Sequence, residues 1–128
     1  MRIRLASVMV ADQERALRFY TGVLGFVTMQ DYPNGVHRWL TVAAPEVPDG
    51  PQLLLEPIAF PPARAYQSAL FDAGIPHAAF AVADVTAEYD RLRNRGVTFQ
   101  GAPSVAGVIR VAVLNDTCGN WIQLFERK

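Results

Sequence analysis

The sequence predicts an α+β fold: two βαβββ modules in tandem, forming curved mixed sheets around a concave cleft. Three observations carry this reading. The tripeptide Val10-Ala11-Asp12 recurs as Val82-Ala83-Asp84. Each copy follows a short apolar run, Leu5 to Met9 in one case and His77 to Ala81 in the other. Each is followed by residues at helical spacing, then a glycine (Gly25 or Gly96) and a β-prone stretch. A match in residue type, order and spacing across two half-chains argues for duplication. The cleft follows from packing. A sheet covered by a helix on one face leaves the other face bare, to be buried against its twin or curved around a ligand.

Taken in order, Ile3 to Val10 is rich in β-branched and apolar residues and reads as a first strand. Asp12 stands where a helix N-cap belongs, with Glu14 in the first turn where the helix dipole favours acid. Ala16, Leu17, Tyr20, Val23 and Leu24 recur at helical intervals, so an amphipathic helix is expected to about Gly22 or Leu24, ended by Gly25. Phe26 to Met29 reads as the next strand and residues 31–35, with Asn34-Gly35, as a hairpin turn. Val36 to Ala43 is a third strand. A Pro/Gly-rich loop leads to a fourth, Gln52 to Glu56, closed by Pro57.

The first module therefore spans residues 1–58. Pro57 to Ala63 is a proline-rich link, and Ala65, Tyr66, Ala69, Leu70 and Phe71 give a short inserted helix ended by Gly74, so that link and helix occupy 59–75. The second module, 76–128, repeats the order. His77 to Val82 is a strand, and Asp84 caps a helix to about Asn94 or Arg95. Val97 to Gln100, Val108 to Leu114 and Trp121 to Glu126 complete the strands, with a turn over residues 115–120.

Composition narrows the function. Half the residues are hydrophobic (51%) and 19% are charged, with 12 basic side chains cancelling 12 acidic ones. No global field then favours nucleic acid or an anionic membrane, and neither is expected as a partner. One cysteine, Cys118, leaves no internal disulfide framework and no multi-cysteine zinc site. Met1-Arg2-Ile3-Arg4 runs straight into a strand pattern, so neither a secretory signal nor a membrane span is expected, and a cytoplasmic protein is.

Several side chains stand out on chemical grounds. Alternation sends His37 and Trp39 to one side of the third strand and Arg38 to the other, where a surface ion pair is the commoner fate of an arginine. Ile109, Val111 and Val113 form an apolar face. If that face packs on the helices, Arg110 points into the concave side. Trp121, Gln123 and Phe125 share a face of the last strand, and an aromatic-lined pocket with a few polar groups suits an apolar or aromatic small molecule. Cys118 has no neighbouring His or Asp to activate it. The sequence contains no phosphate-binding loop, dinucleotide fingerprint, nucleophile elbow or His-Glu-x-x-His.

The strand ending in Val10-Ala11-Asp12, the run Ala16-Leu17-Arg18-Phe19-Tyr20, Leu24-Gly25-Phe26, and the closing residues 116–120 with Ile122 to Glu126 resemble the vicinal oxygen chelate superfamily. That superfamily includes glyoxalase I, type I extradiol dioxygenases and bleomycin- and fosfomycin-resistance proteins, many chemistries on one scaffold. The resemblance implies a divalent-metal position supplied by four strands. The first ligand position, five residues before the motif valine, is Leu5 in one half and His77 in the other. The position four residues after a turn glycine is Gln123 (from Gly119) and Leu54 (from Gly50). Two leucines cannot coordinate, and an imidazole with an amide is a poor site for a hard cation.

Without a full metal set, a small-molecule-binding protein with no metal cofactor is expected, its ligand touching His77, Gln123, Glu56, Trp39, Arg110, Trp121 and Phe125. The alternatives are a metal-dependent lyase or dioxygenase using His77, Glu56 and Gln123, and a drug-sequestering resistance-type protein. Glu56 enters the second set because it shares a strand face with Leu54. The resemblance further implies a homodimer, whose exposed strand edges favour pairing.

Overall fold

In the computed structural model, which describes residues 1–127, the chain forms two compact units, Met1–Ala65 and the residues from Tyr66 onward. Each carries one four-stranded mixed sheet. In the first unit β1 (Leu5–Val10) pairs in parallel with β4 (Gln52–Pro57), and β3 (His37–Ala43) lies between β4 and the edge strand β2 (Val27–Asn34). Residues paired across a ladder share a face. Val8, Val10, Leu40, Val42 and Leu55 therefore form one face of this sheet, and all are fully buried. That face is the one covered by helix α1 (Gln13–Leu17), whose Gln13 side chain bonds to the backbone of β3 and β4.

The N-cap expected at Asp12 is present. Its carboxylate accepts the Arg15 N–H at 3.0 Å, and in the second unit Asp84 accepts the Ala87 N–H at 2.9 Å ahead of helix α3 (Val85–Asn94). Replacing either aspartate with alanine is expected to cost about 1 kcal/mol of stability, read from urea denaturation midpoints.

The two helical arms differ in length by one residue, counted from cap to closing glycine. Arg18–Val23 forms a π-helical turn that absorbs the extra residue. Tyr20 and Leu92 hold corresponding places and are fully buried. The backbone of Phe26 closes onto the Tyr20 carbonyl, and that of Val97 onto the Leu92 carbonyl one residue sooner. Gly25 and Gly96 follow with φ of +92° and +86°, conformations a side chain resists.

In the second unit β5 (Ala78–Ala81) pairs in parallel with β8 (Trp121–Arg127), followed by β7 (Ile109–Asn115) and the edge strand β6 (Ser104–Ala106). Ala112, Leu114, Ile122 and Leu124 form its buried, helix-covered face, joined by Val85 and Leu92 of α3.

Three expectations need correction. Residues 31–34 are strand rather than turn, because β2 pairs with β3 as far as Asn34↔His37, which leaves Gly35 (φ +64°) and Val36 as the tip. The link between modules is largely helix. Helix α2 (Pro61–Asp72) starts at a proline, which the first turn tolerates because its N–H groups need no helical partner. The division between the two units falls inside it. Finally, residues 97–100 do not form a ladder. They meet β7 in the single bridge Phe99↔Leu114, and β6 supplies the edge strand instead. Gly101 and Pro103 interrupt the run, and proline has no N–H to donate.

Candidate ligand-binding faces

Each sheet has a second face away from its helix. In the first unit that face carries Leu5, Ser7 and Met9 of β1, Gln52, Leu54 and Glu56 of β4, and Trp39 and Thr41 of β3. Leu5 is 44% exposed although it is apolar. The Trp39 indole N–H donates to Gln30 Oε1 at 2.6 Å, and the Thr41 hydroxyl donates to Gln52 Oε1 at 2.7 Å. Glu56 stands on this face beside Met9. Trp39 and Glu56 therefore share the open face of this sheet, which settles for β3 what alternation alone left open.

Arg38 points the other way, as expected of an ion-paired residue. Its guanidinium grips Asp31 through two bonds, 3.0 and 2.7 Å, and also reaches Glu14. Hydrogen bonding from Arg38 holds the Asp31 carboxyl below its ordinary value of 3.8. A depressed carboxylate stabilises the fold above that value, and the contribution is lost as pH falls through the lowered one. An exposed pair contributes little. Asp31→Asn is accordingly expected to leave the urea midpoint at neutral pH nearly unchanged while removing this pair's share of the acid dependence.

On the open face of the second unit His77 sits level with Trp121, its N–H donating to the Trp121 carbonyl at 2.8 Å. Ala79 is level with Gln123 and Ala81 with Phe125, and across β7 Gln123 faces Val113 and Phe125 faces Val111. Beside these apolar side chains the face carries the His77 imidazole, the Gln123 amide and, at its ends, Asn115 (level with Trp121) and Ser104 (level with Val111). A cavity of about 210 Å³ lies beside β7, lined by Gln100, Gly101, Ala102, Ser104, Val111, Ala112 and Val113. It lies where the interrupted strand leaves β7 partly uncovered.

Two sequence-predicted residues are placed differently. Arg110 lies on the helix-covered side with Ala112 and Leu114, within 3.5 Å of the Thr86 hydroxyl and paired to Glu126 at 3.7 Å. It does not point into the concave side, because the valine face of β7 is the open one. Trp121 shares the face of Gln123 but does not stand free on it. Its ring stacks on Phe71 (centroids 4.9 Å apart, planes 8° from parallel) and its N–H donates to the Phe71 carbonyl at 3.0 Å. It anchors the end of α2.

Sequence reasoning also missed residues. Tyr66 of α2 meets the His77 ring edge-on at 6.3 Å. Gln67, buried, donates to the Cys118 carbonyl and to Asn120 Oδ1, tying α2 to the turn before β8. Gln13 of α1 donates to the Arg38 and Leu55 carbonyls, bridging β3 and β4. The first two could have been sought in the polar and aromatic residues of the inserted helix, and the third in the one-letter difference after the repeated motif, Gln13 against Val85.

The four positions at which the resemblance implies metal ligands correspond by register. Leu5 is level with Gln52, two residues before Leu54, and His77 is level with Trp121, two residues before Gln123. The two pairs are thus equivalent in their modules, and all four side chains occupy open faces. One pair offers hydrocarbon and the other a neutral imidazole and amide. That donor set does not fit a divalent metal. Among the described residues no three His, Cys, Asp or Glu side chains gather to hold one. No described helix is long and apolar enough to cross a membrane.

Comparison with known proteins agrees with this geometry. The chain is 46% identical to the uncharacterized protein YurT of Bacillus subtilis (strain 168), over 99% of this chain and 100% of that one. Among solved structures, UcmS2 is 31% identical with a TM-score of 0.83, covering 98% of this chain and 97% of its own. TnmS3, described as an antibiotic binding protein from Streptomyces sp. CB03234, is also 31% identical, with a TM-score of 0.78, covering 100% and 97%. Residues 2–124 match the family model of the glyoxalase/bleomycin resistance protein/dioxygenase superfamily. With two tandem modules, each built on a four-stranded mixed sheet, the chain belongs to that superfamily.

Proposed function

We propose that the protein binds a small, mainly apolar aromatic molecule on the open faces of its sheets, by contact and hydrogen bonding rather than through a metal ion. The observation that carries this is the donor set: Leu5 and Leu54 in one module, His77 and Gln123 in the other, on faces that also carry the apolar and aromatic side chains of Met9, Trp39, Val111, Val113 and Phe125. Partly exposed apolar residues on such a face favour a ligand with apolar surface to bury. The description of TnmS3 as antibiotic-binding supports a sequestering role of the drug-binding kind. Thermal-shift screening against bleomycin and a panel of planar aromatic compounds tests it. At ligand a hundredfold above Kd, stabilisation of about 2.7 kcal/mol is expected. No shift with any compound counts against the reading.

The competing reading is a metal-dependent lyase or dioxygenase built on His77, Glu56 and Gln123. Glu56 does share the face of Leu54, two residues on, which is what that reading needs of it. Elemental analysis after Ni²⁺, Mn²⁺ or Fe²⁺ titration separates the two. We further take the protein to be a cytoplasmic homodimer. The edge strand β2, exposed along its length with Val27, Met29 and Tyr32, supports pairing, and a single, buried cysteine, Cys118, suits a reducing compartment. Light scattering at a dimer's mass is the expected result.

A further inference from the structure

Two rungs, Thr41↔Leu54 and Val42↔Leu53, join β3 to β4. Carried on, the same register would set Leu40 against Leu55, Trp39 against Glu56 and Arg38 against Pro57, but the ladder stops short of them. Pro57 has no N–H, so a continued ladder would leave the Arg38 carbonyl without a donor. The side chain of Gln13 stands there instead. Its Nε2 donates to the Arg38 carbonyl at 2.7 Å and to the Leu55 carbonyl at 2.9 Å, and its Oε1 accepts the Arg38 N–H at 3.0 Å. One carboxamide thus replaces the missing peptide partner.

The second module provides the contrast. Val85 holds the place of Gln13 after the repeated motif, and β7 pairs with β8 without a break from Asn115↔Trp121 to Ile109↔Arg127. The interrupted ladder goes with the glutamine, and the full one with the valine.

We infer that Gln13 is a positioning residue for the ligand site, holding β3 off β4 and so setting the span between Trp39 and Glu56 on the open face. The inference rests on the binding reading above and refines its ligand. Side chains directly opposed in a full ladder have Cβ atoms about 5 Å apart. A flat ring needs about 3.5 Å to each neighbour, so it cannot enter between them. With the ladder interrupted, a ring can lie against the Trp39 indole with a hydrogen-bond donor turned toward the Glu56 carboxylate. The ligand class is a flat aromatic carrying such a donor, an aromatic amine for instance.

The test uses the full chain labelled with 5-fluorotryptophan, whose two tryptophans, Trp39 and Trp121, give separate fluorine resonances. The variants are Gln13→Val, the residue of the second module, and Gln13→Met, which keeps the length and lacks the amide should valine not fold. The expected result is a moved Trp39 resonance, an unmoved Trp121 resonance, and affinity for 9-aminoacridine lowered about tenfold. That loss should vanish in a Trp39→Ala background, which a merely structural role would not produce. An unmoved Trp39 resonance, or one that moves with affinity unchanged, overturns the inference. Wild-type protein that binds neither 9-aminoacridine nor any other planar probe counts instead against the binding reading, and the Trp39 resonance still decides whether Gln13 sets that side chain's place.

Discussion

Replacing Asp116 with alanine is expected to destabilise the protein by about 3 kcal/mol, among the larger effects of any single side chain here. Asp116 is fully buried in the turn before β8. Its Oδ1 accepts the N–H groups of Cys118 at 2.8 Å and Asn120 at 3.0 Å, and its Oδ2 accepts the Asn120 side-chain amide at 2.8 Å. Alanine would leave three buried donors without this acceptor, and each unsatisfied buried donor costs about 1–3 kcal/mol. The turn also holds Thr117 at φ +64°, a conformation that needs its surroundings to enforce it. Equilibrium urea denaturation checks the value. Asp116→Asn keeps one acceptor oxygen and should lose less.

A second large effect is expected at Gly119. Its φ is +101°, and a Cβ built there would lie 2.7 to 3.0 Å from the carboxamide of Gln67. That carboxamide is buried and bonded to Cys118 and Asn120, so it cannot swing away without losing both bonds. Backbone strain and overlap add, and Gly119→Ala should cost about 2–4 kcal/mol. The overlap share is separable. In the presence of Gln67→Ala, which removes the obstructing amide, Gly119→Ala should cost measurably less, and a double-mutant cycle on melting free energies reads the coupling. Strictly additive effects would place the cost in the backbone alone.

The repeated Val-Ala-Asp motif made most of the fold legible. It located both N-caps, both helical arms and the two equivalent first strands, because local capping chemistry and hydrophobic period act on neighbours in sequence. What failed depended on tertiary context. Residues 97–100 have strand composition, but Gly101 and Pro103 cut their ladder to one bridge. The extra residue in the first helical arm left no periodic signal, since a π turn keeps Phe19 and Tyr20 buried.

The candidate site was legible in part. Counting from the motif gave Leu5 and His77, counting from the turn glycines gave Leu54 and Gln123, and all four lie on open faces by register. Arg110 failed for a physical reason: both faces of β7 are apolar, so alternation could not tell covered from open. The usual rule assigns the valine face to the helices, whereas here those valines line the open face and the buried side holds Ala112 and Leu114. An apolar open face is itself what a binding surface looks like. Gln13 and Gln67 stand out only as polar residues in the sequence, because an amide's role is set by the backbone groups it bonds to, here Arg38 and Leu55 for one and Cys118 for the other.

Isothermal titration with a planar aromatic ligand, in buffer alone and again with excess EDTA, tests the central claim most directly. The account expects the same affinity and stoichiometry in both, since Leu5 and Leu54 supply no donor and binding rests on the aromatic and amide side chains. Binding lost in EDTA and restored by one equivalent of a divalent metal would contradict it.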